Sequence, residues 1–197
     1  MANYLFVDCE TNGLPLNFGA PISVVSNWPE VLQIAWVLTD SVGRIKESQG
    51  FIVDPKGRYK LDKQAAEVHH LTEDVLSTGT PLKEVLRAFV GSLGQAHILV
   101  AHNIEFDYPV IAAELCRYKQ EPSLARMAAM QRICTMRSTI EYCGLPGKYG
   151  KPKWPKLPEL YLKLFGREYV ETHSAYPDVQ ALVECFWALK ERKIIEV

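Results

Sequence analysis

The stretch Tyr4–Leu14 constrains this chain more than any other. Four apolar residues, Tyr4-Leu5-Phe6-Val7, run straight into Asp8-Cys9-Glu10, and Gly13 closes the run. A short apolar run ended by a turn signal reads as a buried strand. Successive strand side chains point to opposite faces, so Asp8 and Glu10 share one face and Cys9 takes the other, packing the strand into the core. Two acids side by side at the end of a buried strand repel each other. At about 4 Å the cost is about 1 kcal/mol in water and about 4 kcal/mol at an effective dielectric of about 20. A divalent cation offsets such repulsion; solvation at an exposed strand end does so too. This stretch alone leaves both readings open.

The length, 197 residues, fits one domain of ordinary size with a real core. Apolar residues make up 48% and charged residues 23%, as in a soluble globular protein. A net charge of −1 gives no bulk attraction to nucleic acid, yet it leaves room for a local basic groove. The cysteines (Cys9, Cys116, Cys134, Cys143, Cys185) are odd in number and form no Cys-x-x-Cys pair. That argues for a reducing compartment and against a disulfide frame or a zinc site. The N-terminus shows no basic segment followed by an apolar one, and no apolar run approaches bilayer length. The expectation is a cytoplasmic protein with no membrane partner.

Along the chain, the segment 13–30 is rich in Gly, Pro, Asn and Ser and long for a link between strands. It reads either as a functional loop beside a site or as a tolerated surface insertion. Val31–Leu38 and Ile45–Val53 read as strands separated by the turn Asp40–Gly43, hence an antiparallel meander. Asp54-Pro55-Lys56-Gly57 is a turn. Asp62–His70 has helical character and Thr72–Leu76 starts another helix. Pro81–Leu93 is a helix by its apolar spacing, with Thr80 as N-cap and Gly94 beyond its end. His97–Ala101 is a fourth strand. It passes into His102–Asp107 and a helix to about Lys119, with Pro109 in the first turn. Glu121-Pro122 reads as a break. Ser123–Met130 is helical, Arg132–Thr135 is a short fifth strand, and Arg137–Cys143 is a helix. Leu157–Phe165 and Tyr176–Arg192 are the last two helices. A helix between strands three and four makes a parallel neighbour and a mixed sheet.

Two more acids stand where elements join. Asp107 lies just past the fourth strand and Asp178 in the first turn of the last helix, on a rim where distant residues converge. Either would also be favoured there by the helix dipole alone. His173 precedes Asp178 by five residues, and Pro177 starts the helix near 175–177, so His173 sits on the loop leading in. Alone, it reads as a surface histidine.

The joint pattern carries more. Asp8-Cys9-Glu10-Thr11-Asn12-Gly13-Leu14, His102-Asn103-Ile104-Glu105-Phe106-Asp107 and His173-Ser174-Ala175-Tyr176-Pro177-Asp178 resemble, in order, the motifs of the DEDDh family of 3′-to-5′ exonucleases. This is the family of the proofreading subunit of bacterial DNA polymerase III, oligoribonuclease and ribonuclease T. Val68-His69-His70-Leu71-Thr72 and Lys156–Leu160 resemble softer family segments. Departures include Asn12 for a second Thr, Gln33 where many members have an acid, Pro177 and Val179 flanking the last Asp, and the long 13–30 loop.

The resemblance implies a single ribonuclease-H-like α/β domain over 1–197, a mixed five-stranded sheet with helices on both faces. It implies a metal-dependent exonuclease releasing nucleoside 5′-monophosphates from single-stranded 3′ ends, with DNA proofreading or repair favoured. RNA trimming and a non-catalytic module that binds nucleic acid beside a polymerase are the alternatives. By resemblance, Asp8, Glu10, Asp107 and Asp178 hold two divalent cations, Mg²⁺ or Mn²⁺, and Asp8 bridges them; His173 is the base. Thr11, Gly13, Leu14, His69, Asn103 and Phe106 meet the terminal nucleotide, and a polymerase or other replication or repair protein is a possible partner.

The chemistry suits these residue types on its own terms. Hard carboxylate oxygens fit Mg²⁺ or Mn²⁺, paired ions stabilise phosphodiester hydrolysis, and an imidazole titrating near neutrality takes a proton from water. Lys148, Lys151, Lys153 and Lys156, with Tyr149 and Trp154 among them, read either as phosphate-tracking or as a solvated loop.

Overall fold

The computed structural model describes residues 2–56, 61–169 and 173–197. Its strands are β1 (Tyr4–Thr11), β2 (Val31–Thr39), β3 (Ile45–Asp54), β4 (Thr80–Pro81), β5 (Ile98–Ala101) and β6 (Gln131–Cys134). The helices are α1 (Lys63–His69), α2 (Glu73–Ser77), α3 (Leu82–Leu93), α4 (Ile104–Arg117), α5 (Glu121–Ala129), α6 (Thr135–Ser138), α7 (Ile140–Cys143), α8 (Leu157–Phe165) and α9 (Ala175–Glu191). The strands form one mixed sheet in the order β4-β3-β2-β1-β5-β6. β1 to β3 are the expected antiparallel meander, and β5 joins β1 in parallel across Tyr4–Phe6.

Alternation along the central strands sorts the core into two layers. Leu5, Val7, Cys9 and Trp36 face α3 and α4, while Tyr4, Phe6, Ala35 and Val37 face α8 and α9. Trp36 is fully buried, edge-on to Phe89 at 5.5 Å, and its indole N–H donates to Ser92 Oγ at 2.9 Å. On the other face Phe6 meets Phe186 edge-to-face at 5.1 Å. Each such buried ring contributes about 1.5–3 kcal/mol. Among the described residues no helix is long and apolar enough to cross a membrane.

Several expectations need correction. The sheet has six strands, not five, because Thr80–Pro81 pairs in parallel with Val53–Asp54. Gly79 makes this possible: a Cβ there would meet Asp54 N at 2.7 Å, so only glycine lets the chain come so close to β3. Thr80 is therefore a strand residue; Pro81 stands at the N-cap of α3 and makes no side-chain cap bond. Pro122 begins α5 rather than breaking a helix, as the missing N–H at a first turn allows. The expected helix 137–143 is two short ones. Thr139 separates them, its hydroxyl donating back to the Thr135 carbonyl at 2.7 Å. In the turn at 54–57, Asp54 Oδ1 accepts from the Lys56 N–H at 2.8 Å; Gly57 lies outside the described residues.

The 13–30 segment is built, not merely tolerated. The Asn27 side chain clasps Asn17 twice, accepting its N–H and donating to its carbonyl, each at 2.9 Å. Trp28 is buried, with its indole N–H on the Pro21 carbonyl. Arg117, at the end of α4, donates to the carbonyls of Val25 (2.6 Å), Trp28 and Pro29. It also pairs at 2.9 Å with Glu114, whose side chain is 1% exposed and accepts the Val31 N–H. Removing one partner of a buried pair costs about 3–5 kcal/mol, because the other charge stays buried. Arg117→Ala is therefore expected to lower the unfolding free energy by about that amount. Urea titration at neutral pH checks it, and a loss below about 1 kcal/mol, that of an exposed pair, refutes the clamp.

Candidate active site

The site forms where β1 runs past its parallel neighbour. Asp8 and Glu10 share the α9 face, as the strand period requires, and Asp178 reaches them from the first turn of α9. One carboxylate oxygen from each of Asp8, Glu10 and Asp178 lies within 4.8 Å of the others. Three hard oxygen donors from three carboxylates at this spacing fit a divalent cation of the Mg²⁺ or Ca²⁺ type.

Asp107 stands apart from that trio. It rises from α4, on the opposite helix layer, and comes round the end of the sheet. β5 pairs with β1 only as far as Phe6, so beyond it the β5-side edge of β1 has no strand partner. Asp107 Oδ1 takes that place, accepting from the Cys9 backbone N–H and from Cys9 Sγ, both at 3.2 Å. Cys9 thus does more than pack the strand. Burial pushes the Asp107 carboxyl up to about 7, against the Cys9 hydrogen bonds, and burial with the nearby Asp107 carboxylate raises the Cys9 thiol well above its usual value.

The loop and first turn that carry His173 and Asp178 are held from several sides. His173 is half-buried and adopts a left-handed φ of 47°. Gln33 lies opposite Glu10 in the β1–β2 register. Its Oε1 accepts the Ala175 N–H at 2.9 Å and its Nε2 donates to Ser174 Oγ at 3.3 Å, so it ties the start of α9 to the sheet. Tyr169 OH donates to Asp178 Oδ1. Tyr176 OH bonds Ser48 Oγ at 3.0 Å, and its ring lies where a Cβ at Gly50 would come to 2.8 Å. Gln33 had a signal in the sequence, a lone amide inside an apolar strand run. Tyr169 had none.

The remaining expected residues fall as follows. Thr11 is buried past a register shift, and its hydroxyl donates to the Gly13 carbonyl at 2.7 Å. Gly13 has no left-handed φ, and a Cβ there would meet nothing within 4 Å. The fold itself makes no demand for glycine at that position. Leu14 is 73% exposed. Asn103 is exposed at the N-cap of α4 without a cap bond, and Phe106 is half-buried against the core. His69 is buried; its Nδ1 accepts the Leu71 N–H at 3.1 Å, which places the ring proton on Nε2. That Nε2 faces the Thr11 backbone without closing a hydrogen bond of good geometry, and burial lowers the imidazole pKa against that contact.

His102 links the site to the lysine-rich loop. Its Nε2 meets the Pro155 carbonyl and its Nδ1 the Thr135 hydroxyl, each at 3.0 Å. The loop is closed by a bridge between Pro146 and Pro152. It presents Tyr149 98% exposed and Trp154 61% exposed. Lys153 pairs with Glu159 at 2.5 Å.

Comparison with known proteins places the chain. A family model of the RNase_T type, described as an exonuclease, matches residues 5–186, and the chain belongs to this exonuclease family. Human three-prime repair exonuclease 1 is 31% identical over 108 residues, covering 54% of this chain and 34% of that protein. The PolC-type DNA polymerase III of Thermotoga petrophila is 26% identical over 158 residues, covering 73% of this chain and 10% of the polymerase. The chain thus spans about a third or less of these relatives. Among solved structures, E. coli exonuclease I with a dA16 oligonucleotide superposes with a TM-score of 0.74 at 19% identity, over 98% of this chain and 42% of that one. A zinc-bound form of its single-stranded DNA complex gives 0.74 at 20%, over 98% and 41%. The ribonuclease-H-like fold is shared.

Burial lowers the His102 pKa to about 4, whereas an unfolded histidine titrates near about 6.5. Below about pH 6.5 the unfolded chain binds a proton that the folded chain refuses, so stability falls as pH drops from about 6.5 to about 4, by about 3 kcal/mol in all. Asp107 contributes with the opposite sign, and it cancels when wild type is compared with His102→Gln. The stability gap between the two is expected to shrink by about 3 kcal/mol from neutral pH to about pH 4 in urea titrations. A pH-independent gap contradicts the buried neutral ring.

Proposed function

We propose that this protein is a metal-dependent 3′-to-5′ exonuclease. It hydrolyses phosphodiester bonds at single-stranded 3′ ends and releases nucleoside 5′-monophosphates, with DNA its favoured substrate and residues 1–197 acting as one exonuclease domain. The observation that carries this reading is the convergence of the Asp8, Glu10 and Asp178 oxygens within 4.8 Å, beside the loop that bears His173. Membership of the exonuclease family supports it. The DNA preference draws on the relatives' names and on the oligonucleotides bound by exonuclease I.

Asp8, Glu10 and Asp178 would hold one Mg²⁺ or Mn²⁺, and Asp107 with Asp8 would serve a second. Such ions polarise the phosphodiester and acidify water. His173 takes the proton of the attacking water onto its imidazole. The water oxygen bonds to phosphorus as the bond to the 3′ oxygen of the preceding nucleotide breaks, and that oxygen takes a proton from solvent to leave as the 3′ hydroxyl. Gln33 and Tyr169 keep the His173–Asp178 segment in register with Glu10. Gly13, which the fold does not require, leaves room for the terminal nucleotide to approach the backbone beside Thr11 and Leu14. His69, turned to the Thr11 backbone, together with Asn103 and Phe106 completes the nucleotide slot. All four acids and the histidine are present, which speaks against a non-catalytic module. A polymerase or another replication or repair protein is a fitting partner.

End-labelled DNA and RNA strands, incubated with Mg²⁺, Mn²⁺ or chelator, test the reading. Asp178→Asn is expected to abolish nucleotide release, and His173→Ala to slow it about 10²–10⁴-fold at neutral pH. No release with either metal overturns the activity; release indifferent to His173→Ala removes the base. Single-strand binding tests the lysine-rich loop. Replacing Lys148, Lys151, Lys153 and Lys156 by Ala is expected to weaken binding and to flatten log K against log salt by about 0.7 for each phosphate that the loop neutralises. An unchanged slope makes the loop mere surface.

A further inference from the structure

The 13–30 segment leaves a row of apolar side chains in water. Leu14, Leu16 and Phe18 are 73%, 86% and 60% exposed, at every second position of the stretch that leaves the end of β1. Exposed apolar residues are ordinary singly, but a contiguous row calls for an occupant. The Asn17–Asn27 clasp, the Leu16 N–H on the Asn27 carbonyl at 3.0 Å and the Arg117 clamp make this a fixed row rather than a loose loop.

Phe18 opens onto a cleft of about 710 Å³ that it shares with Ile22, Trp28, Tyr108, Arg132 and Arg137. The Arg132 guanidinium lies over the Tyr108 ring, 4.2 Å from its centroid. Arg137 pairs with Glu105 at 2.6 Å, so the arginines outnumber that acid in the cleft wall and leave it positive. Glu105 and Tyr108 stand on the same first turns of α4 as Asp107, about 160° and about 100° round the helix from it, so the cleft lies on another face of the helix that carries the fourth acid. A flat stacked cation, exposed apolar side chains and a net positive wall match the bases and phosphates of a single strand. An apolar peptide would leave the Arg132 charge unanswered.

We propose that the fixed 14–28 loop and the first turns of α4 form a channel for single-stranded nucleic acid upstream of the scissile phosphate. Leu16 and Phe18 pack on bases, and Arg132, stacked on Tyr108, takes a phosphate. The proposal rests on the exonuclease reading and extends it: the enzyme grips several nucleotides rather than the terminal one alone.

Anisotropy titration in chelator, with fluorescent oligothymidylates two and twelve nucleotides long, tests the channel. Phe18→Ala and Arg132→Ala are each expected to weaken the dodecanucleotide about 5- to 100-fold more than the dinucleotide, with Arg132→Ala also lowering the salt slope by about one. Leu16→Ser, at the most exposed of the three side chains, repeats the test where the core is not touched. Thermal midpoints near that of the wild type show that the variants fold. Equal effects on both lengths, or none, overturn the channel. If instead the wild type binds both strands with the expected length dependence but releases no nucleotide with Mg²⁺ or Mn²⁺, the exonuclease reading fails and the channel stands.

Discussion

Carboxylate oxygens of Asp8, Glu10 and Asp178 within 4.8 Å of one another repel, and the surrounding structure is arranged to keep them there. The strand period fixes the first two on one face. The third arrives on a helix whose start is tied to the sheet at several points: Gln33 to Ala175 and Ser174, Ser48 to Tyr176, and Tyr169 to Asp178. Gly50 belongs to the same device, since any Cβ there would push the Tyr176 ring away from β3. A charge cluster that would relax apart on a loop is held by hydrogen bonds and close packing on rigid elements. Such preorganisation suits a cation site, where the ligands must be placed before the ion arrives.

The two core layers explain why the four acids are not equivalent. Asp8, Glu10 and Asp178 belong to the α9 side, and Asp107 to the α4 side. Asp107 meets the trio only round the open edge of β1, and in doing so it satisfies the Cys9 N–H that β5 leaves behind. It is also nearly buried, at 4% exposure, so its ionised form is costly without a partner. One acid thus serves first as a strand surrogate, while the others form an open donor set.

What the sequence disclosed follows from the range of the forces involved. The β1 to β3 meander, the crossover to β5 and most helices are written in local periodicity, and Asp8, Glu10, Asp107, Asp178 and His173 stand in local motifs. The corrections arose where a contact distant in sequence decided the outcome. Thr80 and Pro81 join the sheet because Gly79 packs on β3. Asp107 turns to Cys9 because a neighbouring strand is short. Tyr169 meets Asp178 in a contact that no composition signal marks. Gln33 lay between these cases: its polarity inside a buried run was visible, but its partners lie more than 140 residues away.

The helix α4 connects these parts mechanically. Its first turn carries Asn103, Phe106 and Asp107 to the end of β1, and its last turn carries Glu114 and Arg117. Those two hold Val31 and the carbonyls of Val25, Trp28 and Pro29, which set the path of the loop returning to Leu14–Phe18. A fourteen-residue helix is about 21 Å of stiff rod. The acid near one end and the loop anchored at the other therefore keep a fixed relation. The buried Glu114 is the costly part of this arrangement: one of its oxygens lacks a hydrogen bond among the described residues and burial raises its pKa. A simple surface insertion needs no buried carboxylate to fasten it. Glu114 and Arg117 together thus fix the path of the loop on the helix that carries Asp107.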